Sequence, residues 1–180
     1  MKRRKTKSKE VVVLSPGTIT SFKDIREVIL KVKKLREEAT LPTLAHDYDA
    51  CFDISSAENI IVASLKTEVV KTGIACEIPE GYYMSIFPRS GISIHFPNYL
   101  ANSIGVIDSG YRNEIFVIVR NNSYNKDMKI SVGDRIAQAK LSLVHPTRIV
   151  EVVDLSETDR GLKGLGSSGV SNDKPHSESS

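Results

Sequence analysis

The sequence predicts a mostly β protein, folded as an antiparallel barrel or jelly roll. Residues 82–87 (YYMSIF) and 114–119 (EIFVIV) are rich in β-branched and aromatic side chains, and residues 135–144 (RIAQAKLSLV) alternate apolar with polar for much of their length. Turn signals recur between such stretches: PEG at 79–81, PRSG at 88–91, DSG at 108–110, NNSYN at 121–125 and VGD at 132–134. Many short strands joined by closely spaced turns are typical of this architecture.

The stretch FKDIREVILKVKKLREE, residues 22–38, fits two structures. A helix would place these apolar residues on one face: Ile25, Val28, Ile29, Val32 and Leu35. A strand would instead align Val28, Leu30 and Val32 on one side. The spacing of the apolar residues leaves both structures open.

Length and composition are those of a globular protein of one domain. The chain has 180 residues, of which 40% are hydrophobic and 26% are charged. No apolar run approaches the ~18 residues that a membrane helix needs, and VVVL at 11–14 is too short for the core of a signal peptide. We therefore expect an intracellular, cytoplasmic protein without membrane contact. Cys51 and Cys76 are expected to be small buried thiols rather than metal ligands.

Positive charge is concentrated near the N-terminus. The segment MKRRKTKSK holds six Lys and Arg residues, and without them the chain has 19 basic against 22 acidic residues, so the net charge changes from +3 to −3. Such a segment can bind nucleic acid, but we favour a solvated, disordered extension. The sequence is therefore divided into a basic N-terminal extension (1–24), a β-barrel (25–159) and a flexible, Gly/Ser-rich C-terminal arm (160–180).

The arm contains GLGSSG (164–169), which has the spacing of a dinucleotide-binding turn. A dinucleotide fold would need a helix after the motif, which the sequence does not offer here, and a P-loop would need Lys where Ser167 stands. Two interpretations stay open. The glycine amides can form a nest that closes over a phosphate, or the segment is a flexible tail.

Five short motifs follow one another along the chain: ACFDI (50–54), PRSGI (88–92), GVIDSGYRNEI (105–115), GDRIAQ (133–138) and RGLKGLGSSG (160–169). In this order and spacing they resemble the motifs of the trimeric dUTP pyrophosphatases, the dUTPases, over about residues 41–170. The resemblance implies a jelly-roll subunit in a homotrimer with exchange of C-terminal arms and three active sites at subunit boundaries. It also implies hydrolysis of dUTP to dUMP and pyrophosphate, with Mg²⁺ held mainly by the triphosphate and water.

The resemblance assigns roles to individual residues. Asp108, expected at the end of a buried strand, matches the catalytic aspartate that orients and deprotonates the attacking water. Tyr111 matches the tyrosine under the deoxyribose, and Asn102 lies in NYLANSIG (98–105), where the family forms a hairpin that binds uracil. The other positions implied to bind substrate are Arg89, Ser90, Gly91, Gly105, Gln138, Arg160, Leu165, Gly166, Ser167 and Ser168.

Two of these roles stay open. Arg89 either contacts phosphate directly or holds its turn through an ion pair. Asp53, which matches the aspartate of the first motif, either acts on the metal through water or has a structural role.

Two other functions compete with this interpretation. By resemblance, the related dCTP deaminases, alone or combined with dUTPase activity, place a catalytic glutamate in the strand after the third motif. In this chain that position falls on or near Ile118, and Glu114 comes too early. A non-catalytic trimeric nucleotide-binding module would keep the fold without turnover.

Five residues depart from the family pattern and bear on nucleotide affinity and closure of the arm: Cys51, Gly110, Asn113, Lys163 and Leu165.

Overall fold

The computed structural model describes residues 27–47, 49–95 and 98–162. The predicted N-terminal extension (1–24) and the glycine motif (164–169) lie outside these residues. In the described part of the chain, no helix is long and apolar enough to cross a membrane. The chain divides into two compact units, Met1–His145 and Pro146–Ser180, whereas the sequence analysis begins the arm at residue 160.

The first unit is built from short strands. Within the described residues there are eleven strands and one helix: β1 (Lys31–Lys34), β2 (Phe52–Ser55), β3 (Ile60–Val62), β4 (Thr67–Lys71), β5 (Ile74–Glu77), β6 (Tyr82–Phe87), α1 (Ser90–His95), β7 (Asn98–Leu100), β8 (Gly105–Asp108), β9 (Phe116–Asn121), β10 (Met128–Ile130) and β11 (Arg135–Leu143).

The strands pair antiparallel, as the sequence predicts. The largest sheet has the order β2-β11-β6-β8, and a second has the order β4-β9-β7. β1 pairs with β5, and β10 pairs with β3. The predicted mostly β, antiparallel fold is therefore confirmed.

The core is made by alternate side chains of these strands. On β9, Val117 and Val119 are buried, whereas Phe116 and Ile118 on the opposite face are only half-buried. Side chains that fill the core include Ile54, Val62, Val70, Ile74, Met84, Ile86, Leu100, Ile115, Ile130 and Ile136. The outer face of β9 is left to line a cavity, which is described below.

Residues 31–34 form a strand rather than a helix. β1 pairs with β5, with Val32 opposite Cys76, and Leu30 and Val32 both pack against the core. The Lys31 ammonium donates a hydrogen bond to Glu77 at 2.6 Å and holds the pKa of that carboxyl below its usual value. Pairing with β5 thus decides the open choice for the described part of residues 22–38.

The PRSG stretch (88–91) is more than a turn. Ser90 begins α1, in which the Ser93 amide and hydroxyl both donate to the Arg89 carbonyl oxygen, at 3.1 and 3.0 Å. The sequence analysis predicts no helix here, because a helix of six residues is too short to show an apolar period. Half-buried Ile92 packs against the core and fixes the helix directly after Arg89.

Candidate active site

A cavity of about 220 Å³ is lined by β8, the loop after it and β9. Four of the residues that the sequence singles out line it: Asn102, Gly105, Asp108 and Tyr111. Its other walls are apolar side chains: Ile86, Leu100, Val106, Ile107, Phe116, Val117 and Ile118. We call this cavity the β8 pocket. Apolar walls with a few polar groups are typical of a site for a small organic ligand.

Hydrogen bonds fold the loop after β8 back on itself. The Tyr111 amide donates to the Asp108 carbonyl oxygen at 3.1 Å, and the Tyr111 hydroxyl donates to the Glu114 carbonyl oxygen at 2.8 Å. The Arg112 guanidinium donates to the carbonyl oxygens of Ser109 and Tyr111. The ring of Tyr111 is thereby held beside the end of β8.

Asp108 ends β8, which is an edge strand of the four-stranded sheet. Within one chain the expected burial of this strand is wrong, because among the described residues β8 pairs only with β6 and Val106 is 60% exposed. Asp108 is itself exposed. Its carboxylate has no hydrogen-bond partner in the described part of the chain, so both oxygens are available to water or a ligand.

The segment 98–105 differs from the expected hairpin. β7 pairs with β9, and β8 pairs with β6, so the two flanking strands lie in different sheets. The Ser103 amide donates to the Leu100 carbonyl oxygen at 2.8 Å and closes the turn between them. A Cβ at Gly105 would lie 3.2 Å from the Ile86 Cβ, so glycine permits the close approach of β8 to β6 at this point.

A second cavity, of about 300 Å³, gathers residues of the first, second and fourth motifs. We call it the arginine pocket, and it is lined by Ala45, Asp49, Ala50, Cys51, Asp53, Arg89, Ser90 and Gln138. Strand pairing brings these motifs together. β2 and β11 place Asp53 opposite Gln138, and β11 and β6 place Gln138 opposite Phe87, just before the second motif.

Asp53 is held between two arginines. Arg89 Nε lies 2.7 Å from Asp53 Oδ1, and Arg135 Nη1 lies 3.0 Å from Oδ2. Arg89 Nη2 is 3.4 Å from Oδ2, so both oxygens face this one guanidinium. For Arg89, the geometry favours an ion pair that holds its turn over direct contact with phosphate. For Asp53, it favours a structural role over action on the metal. The sequence analysis missed Arg135, whose only signal is its place in GDRIAQ.

Gln138 and Ser90 complete the arginine pocket. Gln138 Nε2 donates to the Pro88 carbonyl oxygen at 2.8 Å and so holds the chain just before Arg89. Ser90 is exposed, and its hydroxyl has no hydrogen-bond partner among the residues that the structure describes. Gly91 has open space where a Cβ would stand. A ligand can therefore approach the backbone after Arg89 closely.

The two pockets are distinct within one chain and have no lining residue in common among those described. β6 lies between them, with Asp108 paired to Tyr83 and Gln138 paired to Phe87. Asp108 and Gln138 lie two strands apart and are offset by four residues along the strand direction. With ordinary strand spacing and rise per residue, their Cα atoms are roughly 16 Å apart. The two groups of predicted site residues therefore do not form one compact site on a single chain.

The predicted residues of the arm are described only in part. Arg160 lies in the second unit, where the Gly161 amide closes a turn onto the Thr158 carbonyl oxygen at 2.8 Å. Residues 146–162 contain no helix or strand. The other arm residues lie outside the described residues: Leu165, Gly166, Ser167 and Ser168.

The described residues offer no ready-made metal cage. They contain no group of three or more His, Cys, Asp or Glu side chains that could hold an ion. The carboxylate of Asp53 is engaged by Arg89 and Arg135. This donor set fits a metal that arrives on a phosphate ligand with most of its water, as Mg²⁺ does.

This arrangement matches a known family along most of the chain. The family model for dUTPase covers residues 37–169. The chain belongs to the dUTPase family. It is 40% identical over 146 residues to the deoxyuridine 5'-triphosphate nucleotidohydrolase of Helicobacter hepaticus, over 81% of this chain and 92% of that protein. It is also 40% identical over 141 residues to the protein of that name from Crocosphaera subtropica, over 78% and 99%.

Solved dUTPases share the fold. The dUTPase of Staphylococcus bacteriophage 80alpha, solved with dUPNHPP, matches with a TM-score of 0.72 and 30% identity, over 79% of this chain and 99% of that chain. A mutant dUTPase of the S. aureus phage phi11, which coordinates a structural Mg(II) ion, matches with a TM-score of 0.67 and 26% identity, over 72% and 100%. The predicted family and jelly-roll fold are confirmed.

The geometry of this dUTPase argues against the deaminase alternative. Ile118, at the position where an acid is needed, is an apolar wall of the β8 pocket. Glu114 lies just before β9, and its carboxylate is bound by Arg36 and by the Gly73 amide. Neither residue can shuttle protons to a base in the β8 pocket.

Proposed function

We propose that this dUTPase hydrolyses dUTP to dUMP and pyrophosphate by attack of water on the α-phosphorus. The observation that carries the proposal is the sorting of four motifs into two pockets, one with the exposed Asp108 carboxylate and one with Ser90 beside Arg89, which is bound to Asp53. The names of the relatives point to the same substrate.

Asp108 is the general base. Its carboxylate accepts a hydrogen bond from the attacking water and takes its proton as the new bond to the α-phosphorus forms. The bond from that phosphorus to the bridging oxygen breaks, and pyrophosphate leaves with the electron pair. A general base contributes about 10²–10⁴-fold, so most of the acceleration must come from positioning and from neutralising the phosphate charge.

The arginine pocket binds the phosphates. The Ser90 hydroxyl and amide are the donors to the oxygens between the α- and β-phosphorus, and Gln138 keeps a second amide hydrogen for a phosphate oxygen. Arg89 is already bound to Asp53, so its main task is to hold the turn that presents Ser90 and Gly91. Arg135 has a side chain that is 55% exposed and adds positive charge at the rim.

The β8 pocket binds the deoxyuridine. The Tyr111 ring packs under the sugar, where it crowds a ribose 2′-hydroxyl. Asn102, Gly105 and the backbone of residues 98–105 read the uracil edge, because an amide can both donate and accept. The apolar wall excludes the thymine methyl, a discrimination of about 1–3 kcal/mol.

A complete site lies between subunits of a homotrimer. The separation of roughly 16 Å between Asp108 and Gln138 supports this, because a nucleotide that reaches Asp108 of one chain needs the arginine pocket of a neighbour. Exposed apolar side chains on strands offer surface for such neighbours to cover, among them Ile61, Val69 and Val106 at 56%, 50% and 60% exposure. Three identical boundaries then give three sites.

The C-terminal arm acts as a lid. Arg160 grips the γ-phosphate with its planar guanidinium, and Gly166, Ser167 and Ser168 donate further hydrogen bonds. Leu165 covers the base without an aromatic face, at a cost on the order of 1 kcal/mol. Closing the arm excludes water other than the nucleophile.

Magnesium would be held mainly by the triphosphate and water rather than by side chains of this chain. When bound, the ion neutralises charge on the phosphate oxygens, while the side chains and backbone of the protein bind the nucleotide. Asp53 acts on it at most through water, since its own oxygens are engaged by arginine.

Both cysteines are free thiols, which fits a reducing compartment, and the cytoplasm stays the predicted location.

A pyrophosphate-release assay with dUTP, dTTP, dCTP and UTP in the presence of Mg²⁺ tests the proposal. We expect turnover of dUTP and little of the other three. Release of ammonia from dCTP would restore the deaminase alternative. Binding of dUTP without pyrophosphate release would instead identify a non-catalytic nucleotide-binding module.

A further inference from the structure

An ion pair with a buried carboxylate lies next to Tyr111, which lines the β8 pocket. Glu114 is 7% exposed, and its Oε2 lies 2.7 Å from Arg36 Nη2. Its Oε1 accepts the Gly73 amide at 2.8 Å. The partners come from segments far apart in the sequence, after β1 and between β4 and β5. A buried carboxylate with both oxygens bound is held rigidly, because moving it would leave a buried charge without its partners.

The amide that binds Glu114 is itself fixed in place. Gly73 has a φ of +69°, and a Cβ there would lie 2.7 Å from the Ala39 Cβ and 2.9 Å from the Ala57 Cβ. The Gly73 carbonyl oxygen accepts the Leu35 amide at 2.7 Å. Glycine is therefore required here, and it aims its N–H at the carboxylate of Glu114.

The backbone of Glu114 connects this rigidly held carboxylate to the β8 pocket. Its carbonyl oxygen accepts the Tyr111 hydroxyl at 2.8 Å, and its amide donates to Asn113 Oδ1 at 2.7 Å. The next residue, Ile115, donates its amide to the Ile74 carbonyl oxygen at 2.9 Å. The orientation of the Tyr111 ring thus depends on where Glu114 is held.

We propose that Glu114 is a positioning residue that sets the selection of deoxyribose over ribose through Tyr111. The inference rests on the proposed function, in which the Tyr111 ring packs under the sugar. The hydroxyl of that ring is tied to the Glu114 carbonyl oxygen, so the ring cannot swing aside to admit a 2′-hydroxyl. Arg36 and Gly73 bind the Glu114 carboxylate and so hold this residue in place, and neither of them lines the β8 pocket.

Three variants separate positioning from folding. Glu114→Leu removes both carboxylate contacts, and Arg36, whose side chain is 33% exposed, can turn to water. Glu114→Gln keeps an acceptor for the Gly73 amide and is the conservative control. Tyr111→Phe removes the same hydrogen bond from its other end and leaves the buried pair intact.

The readout is the ratio of kcat/KM for dUTP to that for UTP. We expect Glu114→Leu and Tyr111→Phe each to lower this ratio about tenfold, the factor that ~1.4 kcal/mol gives. Glu114→Gln should keep it within about threefold. Because both single changes act through one hydrogen bond, the double variant Glu114→Leu/Tyr111→Phe should fall no further than the larger single effect.

Several results would overturn the inference. An equal loss of kcat/KM for dUTP and UTP in Glu114→Leu would make Glu114 merely structural, and additive effects in the double variant would break the link to Tyr111. Should Glu114→Leu fail to fold, an unchanged ratio in Tyr111→Phe overturns the inference on its own. Calorimetric binding of dUMP against UMP gives the same ratio without turnover, so the inference can be tested even if the wild-type protein releases no pyrophosphate.

Discussion

The two pockets of this dUTPase are built by opposite means. In the arginine pocket most of the polar side chains are engaged within the chain: Asp53 binds two arginines, and Gln138 donates to the Pro88 carbonyl oxygen. In the β8 pocket Asp108 stands exposed at the end of an edge strand, with no partner for its carboxylate among the described residues. The contrast is between carboxylate oxygens that arginines already bind, at Asp53, and carboxylate oxygens that no described residue binds, at Asp108.

This difference follows from what each pocket is proposed to do. Phosphates carry fixed charge, so the donors that bind them gain from being held in place before the ligand arrives. A general base must instead keep its oxygens free for water until the substrate is present. The position of Asp108 at the end of an edge strand is also where the proposed neighbouring subunit and nucleotide would complete its surroundings.

Asp108→Asn is the strongest test of the β8 pocket. We expect pyrophosphate release to fall by about 10²–10⁴-fold, while binding of a non-hydrolysable dUTP analogue changes little, because the amide keeps the shape of the exposed side chain. Pyrophosphate assays and calorimetry measure the two properties. A parallel loss of binding and turnover would mean that Asp108 shapes the loop and does not act on water.

Mixing two inactive variants tests whether the pockets combine across subunits. Asp108→Asn lacks the base, and Ser90→Glu, a change at an exposed residue, repels phosphate from the arginine pocket. In trimers assembled from equal amounts of both, about a quarter of the sites pair two intact pockets, and we expect about that fraction of wild-type turnover. Mixed trimers without activity would place the whole site within one chain.

Strands that are long or strongly patterned were predictable from the sequence. β6 and β11 lie where apolar, aromatic and alternating residues place them. β1 was ambiguous because its four residues form a strand only through pairing with β5, which lies far along the chain. That β8 would be an edge strand could not be predicted, because edge position depends on which strands pair and not on the local sequence.

Contacts between distant side chains were the least predictable part of the site. The motifs name Asp53, Arg89 and Gln138, whose roles stay predictions, but they say nothing of how these side chains bind one another. Arg36 and Glu114 are 78 residues apart and share no motif. In the sequence Glu114 is only an acidic residue that precedes a run of apolar ones. That Arg36 binds its buried carboxylate is visible only in the tertiary structure.

Arg89→Met tests how much the ion pair in the arginine pocket contributes to stability and to phosphate binding. The Asp53 side chain is 13% exposed and would lose Arg89 but keep Arg135, so we expect the free energy of unfolding to fall by about 2 kcal/mol. The KM for dUTP should rise, while binding of a nucleoside in the β8 pocket should persist. Denaturant titration and calorimetry measure these effects, and Asp53→Asn, which keeps the shape, is the matched control. Unchanged stability would show that the ion pair is dispensable.

The two cysteines provide the smallest test, because one lines the arginine pocket and the other lies in the core. Burial raises the pKa of the Cys76 thiol from 9.0 to about 11. Its contribution to stability is therefore present below pH 9.0 and is lost as the pH rises towards 11. In a Cys51→Ser variant at pH 8, the smaller thiolate fraction should make alkylation of Cys76 about a hundredfold slower in the folded than in the unfolded chain.

Cys51 should behave in the opposite way. It is partly exposed and lines the cavity proposed to bind phosphates, so in a Cys76→Ser variant it should react in the folded protein. A non-hydrolysable dUTP analogue with Mg²⁺ should slow that reaction, because the bound triphosphate covers the arginine pocket. Mass spectrometry of the alkylated protein measures both rates. Equal reactivity with and without nucleotide would mean that phosphates bind elsewhere, and the contrast between the arginine pocket and the β8 pocket would then lose its functional meaning.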